Sequence, residues 1–97
     1  MNPIDPARIA GLRELNRLFP GLSGKAQCDR LLAALQTLGP CCTLELRRYA
    51  DIYDPAARKL GLVKAGHRIL TTWMHVETES GVLHRVGRYS LVKGRAD

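Results

Sequence analysis

No stretch of this chain approaches the roughly 18 consecutive apolar residues of a membrane-spanning helix. Its opening, Met1-Asn2-Pro3-Ile4-Asp5, lacks the basic start and apolar run of a signal peptide. Both absences point to a cytoplasmic protein with no membrane partner. Aromatic residues are scarce, with one Trp, one Phe and three Tyr. That leaves no aromatic stretch of the kind RNA-recognition sheets use to stack bases, so RNA is the weaker nucleic-acid partner. Cysteine is sparse and poorly spaced for chemistry. Cys28, Cys41 and Cys42 are odd in number, neighbours in sequence bridge each other badly, and no Cys-x-x-Cys pair suggests zinc. Three small buried side chains are expected, with no metal and no cofactor. Also missing are a phosphate-binding glycine loop, a nucleophile elbow and paired carboxylates in a cleft. His67, His75 and His84 are scattered, with no Asp or Cys at a useful spacing. The expectation is therefore no enzyme, no catalytic residue and no small-molecule substrate.

Positive charge is abundant. Fifteen basic residues stand against nine acidic ones, a net charge of +6 and a pI near 9.7. Arg supplies 11 of the 15, the residue suited to gripping a phosphate or a guanine edge through two hydrogen bonds. An excess of this size suggests a polyanionic partner, usually nucleic acid. The 97 residues are 45% hydrophobic, enough for one domain with a modest core.

Helical spacing of Ile9, Leu12, Leu15 or Asn16, and Leu18-Phe19 predicts a helix over 7–19, ended by Pro20-Gly21. A second helix over 25–38 carries Ala26, Leu31, Leu32, Leu35 and Leu38 and stops at Gly39-Pro40. Cys41-Cys42 is a very short extended piece. Thr43 is the expected N-cap of a third helix over 44–50, with Leu44, Leu46 and Tyr49 inward. Asp54-Pro55 opens a fourth over 55–65, and Gly66 closes it. Residues 68–78 and 82–92 then read as two strands joined at Glu79-Ser80-Gly81. Gly87 suggests a bulge that would put Val82, Val86, Tyr89 and Leu91 on one face.

Helix, helix, helix, hairpin, preceded by one extra helix, is the order of an α+β winged helix-turn-helix. The third and fourth helices are joined by about four residues, as such a motif requires, and the hairpin falls where a wing belongs. The second helix of the pair would enter the major groove. Domain boundaries follow: an N-terminal helix and linker over 1–24, the winged domain over 25–92, and a polar tail over 93–97.

The residues also resemble a known family. Gln27-Cys28 opening a helix, Thr43-Leu44-Glu45 after a Gly-Pro break, Ala57-Arg58, Leu62, Gly66 with Ile69, Thr72-Trp73 and Arg88-Tyr89 are similar to the small winged helix-turn-helix DNA-binding proteins of bacteria and their prophages. The resemblance covers about 27–92 and departs at Lys59, where an apolar residue is usual, and at Gly61, where a charged one is. It implies a small transcriptional regulator of prophage type, bound to double-stranded DNA through helix 55–65.

The candidate DNA contacts are Thr43, Arg47, Arg48, Arg58, Lys59, Lys64, Arg68, Arg85 and Arg88. Thr43 caps a helix whose N-terminus can face phosphate. Arg47 and Arg48 cannot share a face. Arg58 either points outward to DNA or pairs with Asp51 or Asp54. Gly61 fits a close approach to DNA backbone or close helix packing. Glu77 and Glu79 would repel phosphate at the wing tip, which favours Arg68, Arg85 and Arg88 nearer its base. Trp73 and Tyr89 are expected in the core. The competing reading is a protein–protein interaction adaptor. Leu70, Met74 and Val76 lie opposite Ile69, Trp73 and His75, so the second hairpin face needs a cover. The N-terminal helix or a second subunit would supply it, and a homodimer through either surface suits both readings.

Overall fold

The structure, a computed structural model, describes residues 5–92. The expected polar tail at 93–97 lies outside the described residues, as do residues 1–4 of the opening segment. In chain order the elements are α1 (Pro6–Leu18), α2 (Gly24–Thr37), β1 (Cys41–Cys42), α3 (Thr43–Tyr49), α4 (Pro55–Lys64), β2 (Ile69–Glu77) and β3 (Leu83–Leu91).

Three helices begin at side-chain caps carried by the sequence. Asp5 accepts from the Ala7 N–H, Ser23 from the Ala26 N–H and Asp54 from the Ala57 N–H, at 3.0, 3.0 and 3.2 Å. Each satisfies a donor the helix cannot use internally. Pro6 and Pro55 follow two of these caps, where a missing N–H costs nothing. The fourth start corrects the expectation for Thr43. The cap is Cys42, and Thr43 is the first helical residue. Cys42 stays extended because it pairs with Arg88 in the sheet, and its N–H donates to the Glu45 carboxylate at 2.8 Å. A carboxylate three residues into the helix thus does the capping from inside.

The strands order β1-β3-β2, all antiparallel. Pairing runs without interruption from Ile69 opposite Leu91 to Glu77 opposite Leu83, with Trp73 directly opposite Gly87. The bulge expected at Gly87 is therefore absent, and strand alternation is strict. Ile69, Thr71, Trp73 and His75 share one face with Leu91, Tyr89, Gly87 and Arg85. Leu70, Thr72, Met74 and Val76 share the other with Ser90, Arg88, Val86 and His84. Val86 consequently faces away from Tyr89. A Cβ at Gly87 would stand 3.7 Å from both the Thr43 methyl and the Trp73 ring, an ordinary contact distance.

The core joins Leu12 and Leu15 of α1, Leu31, Ala34 and Leu35 of α2, Leu46 and Ala50 around α3, Ile52 of the turn, Leu62 of α4, and Cys41, Ile69 and Tyr89 of the sheet. Trp73, expected there, is 58% exposed and carries the Arg85 guanidinium over its ring. Helices α2 and α4 approach closely at Gly61, where a Cβ would lie 3.3 Å from Cys28 Sγ. Gly66, with φ of 106°, turns the chain out of α4 in a conformation that L side chains rarely adopt. Burial pushes the Cys41 thiol up to about 12 and raises that of Cys42, so both are unreactive. No helix among the described residues is long and apolar enough to cross a membrane.

Two arginines are spent on holding the helices together. Arg30, only 1% exposed, donates to four backbone carbonyls: Phe19 and Gly21 after α1, Ala50 and Asp51 after α3. Carbonyls at helix C-termini lack intrahelical partners and carry the negative end of the helix dipole. They can therefore solvate a buried guanidinium without a carboxylate. Arg8 does related work at the other end of α3. It pairs with Glu45 at 2.7 Å and donates to the carbonyls of Leu38 and Pro40. The hydrogen bond to Glu45 raises its pKa further, so it stays charged.

Candidate nucleic-acid interface

The connection between α3 and α4 is built by local chemistry. Asp51 adopts φ of 53°, a region that Asp tolerates better than most residues. The chain then folds back, so that the Ile52 N–H donates to the Leu46 carbonyl at 3.1 Å and the Ile52 side chain enters the core. Gln27 of α2 accepts from the Tyr53 N–H at 3.0 Å and donates to the Leu22 carbonyl at 2.8 Å. The turn is thus pinned to α2, which fixes the direction of α4.

Three of the candidate contacts gather on one side. Lys59 lies with its ammonium 5.7 Å from the Tyr89 ring centroid. Arg47 lies close enough to Tyr89 to favour its ionised form, although burial outweighs this and raises the Tyr89 pKa. Arg85 stacks on the exposed Trp73 ring at 4.2 Å, on the hairpin face that also carries Tyr89. Arg47, Lys59 and Arg85 therefore extend from α3, α4 and the hairpin around one surface. The Thr43 methyl packs against Gly87 beside Trp73, and Lys64 and Arg68 are exposed at the two ends of the link from α4 to β2.

The remaining candidates point elsewhere. Arg58 neither projects outward nor forms an ion pair with Asp51 or Asp54 among the described residues. Its guanidinium lies against Gly24 at the start of α2, where a Cβ would come within 2.3 Å of it, and its Nε is buried without a hydrogen-bond partner. Arg48 pairs with Glu79 of the wing tip at 2.6 Å and lies 5.5 Å from the Tyr49 ring centroid, which Arg13 approaches to 5.4 Å. Glu79 is therefore held by a cation as well as facing solvent. Arg88 is on the opposite hairpin face, where it lines a groove of about 400 Å³ with Arg8, Leu38, Leu44, Met74 and Val76. α1 does not close over this face, and Leu70 beside it is 58% exposed.

Sequence reasoning missed Arg30 and Arg8, and it singled out Gln27 and Glu45 without their long-range contacts; all four position the motif. Residues 25–38 did carry a signal. Arg30 lies between Gln27 and Leu31 on the stripe that faces the core, out of place for a solvated charge. No cluster of three or more His, Cys, Asp or Glu side chains among the described residues is arranged to hold a metal.

A short strand between the first two helices of a tri-helical core, a tight turn before the third, and a hairpin paired back onto that strand define a winged helix-turn-helix. The family described as "Winged helix-turn-helix domain" matches residues 26–94, well over half of the chain, and the chain belongs to it. That membership suggests DNA binding; domains of this type are typically not enzymes. Neither the curated proteins nor the solved structures contain a match to this chain.

Proposed function

We propose that this chain binds double-stranded DNA as a small transcriptional regulator of prophage type, acting in the cytoplasm by occupying its site. The observation that carries this reading is the placement of Arg47 and Lys59 around Tyr89, with Arg85 on the same hairpin face. An α-helix fits the B-DNA major groove, and cations on the elements that flank it reach the phosphates on either side. In this arrangement α4 lies in the groove, Arg47, Lys59 and Lys64 hold the adjacent backbone, and Arg68 and Arg85 hold phosphates beside the hairpin. Thr43 is a packing residue next to this surface. Arg58 supports α4 from behind, and Arg48 joins the phosphate contacts only if it leaves Glu79. Arg88 lies outside the contact.

The open groove on the second hairpin face favours a homodimer or a protein partner there, which doubles the contacts on a two-fold site without competing for α4. Anisotropy of a labelled random 25-base-pair duplex, titrated at several salt concentrations, tests the central reading. Binding whose log–log salt slope is about −4 or steeper indicates four or five engaged phosphates. Absence of binding at low salt, despite the +6 charge, overturns the reading and leaves the protein-interaction adaptor.

A further inference from the structure

The outward face of α4 is short of the groups that read bases by hydrogen bonding. Its exposed side chains are Ala56, Leu60, Val63 and Lys64. Leu60 is 53% and Val63 42% exposed. At 100° per residue, Ala56, Leu60 and Val63 fall within an arc of about 60°, and Lys59 and Lys64 border it about 40° beyond either edge. Opposite this strip, Leu62 and Pro55 are buried, Arg58 is turned to Gly24, and Gly61 backs onto Cys28. The strip is therefore the part of α4 that a ligand meets first.

We infer that α4 reads thymine: Ala56, Leu60 and Val63 pack against the C5-methyl groups that T·A pairs present in the major groove. The inference rests on the DNA-binding reading and specifies its target. Guanine and adenine are ordinarily recognised there by Arg, Lys, Asn or Gln in bidentate contacts, whereas the thymine methyl is recognised by apolar contact. The strip offers no bidentate group. Its borders are cationic on both sides, and residues 55–65 contain no acid, which suits a groove walled by phosphates. An apolar strip this narrow, bordered by lysines, is complementary in charge to a T-rich groove.

The test begins with selection of binding sites from a random-sequence duplex library. Replacing thymine by uracil in the selected site removes only the methyl group and leaves pairing and the minor-groove acceptors intact. We expect T·A pairs at the centre of the contact and a loss of about four-fold in affinity for each contacted thymine replaced, from the transfer free energy of one methyl group. Two or three contacted thymines give a loss of 10-fold or more. The double variant Leu60→Ala, Val63→Ala, with an unchanged circular dichroism spectrum, should bind thymine and uracil duplexes alike. The uracil comparison needs no variant, so folding does not enter it. If the selected site binds within two-fold after uracil replacement, if selection yields G·C contacts or no preference, or if the double variant still prefers thymine, the inference falls while DNA binding stands. If no duplex binds at low salt, both fall together.

Discussion

The arginines behind the helix-turn-helix and those in front of it do opposite jobs. Arg30 and Arg8 are turned inward onto helix termini, where they satisfy carbonyls and a capping carboxylate. Arg47 and Arg85 are exposed on the far side, the first near Tyr89 and the second on the Trp73 ring. The two groups are chemically identical and contribute equally to the net charge. Charge counted from a sequence is therefore not charge available to a ligand, because carbonyls at helix C-termini can hold a guanidinium inside the fold.

The comparison breaks most visibly at Arg30. Replacing it by Ala strands four buried or partly buried carbonyls, and each unpaired acceptor is costly. We expect Arg30→Ala to lose about 3 kcal/mol or more in urea melts, with the affinity of the remaining folded protein for DNA unchanged. Arg8→Ala leaves Glu45 to cap α3 alone and frees two carbonyls nearer solvent. A loss of about 1–2 kcal/mol is expected by the same measurement. On the outer side the effects should invert. Arg85→Ala is expected to change stability by no more than about 0.5 kcal/mol, while the salt slope of DNA binding becomes shallower by about 1. A destabilisation like that of Arg8→Ala, or an unchanged slope, would mean that Arg85 belongs with the inner group. The smallest effect is sought at the wing tip. Exposed ion pairs contribute little, so Glu79→Gln should leave the melt unchanged. By releasing Arg48 and removing an acidic charge, it should tighten DNA binding a few-fold at low salt.

The family's architecture was legible because local signals agreed with the tertiary fold. Asp54-Pro55 and Gly66 mark helix ends in the sequence, and each bounds α4 in the structure within a residue of the expected place. Where the sequence misled, one long-range contact overrode a local preference. Thr43 is the better N-cap by type, yet Cys42 takes the position because it is held in the sheet by Arg88 and approached by Glu45. Gly87 reads locally as a bulge, yet the ladder pairs it directly with Trp73 and runs on without interruption. Trp73 looks like a core residue by composition, yet it stays largely exposed, with Arg85 over its ring.

By itself, then, the sequence determined the number, order and type of the elements, the helix-turn-helix spacing and the net positive charge, because caps, breakers and hydrophobic period act within a few residues. Only the tertiary structure decided which cations face outward. The direction of a guanidinium depends on groups brought from elsewhere in the chain: the ends of α1 and α3 accept from Arg30, Glu45 from Arg8 and Glu79 from Arg48, while Arg58 is packed against Gly24 at the start of α2.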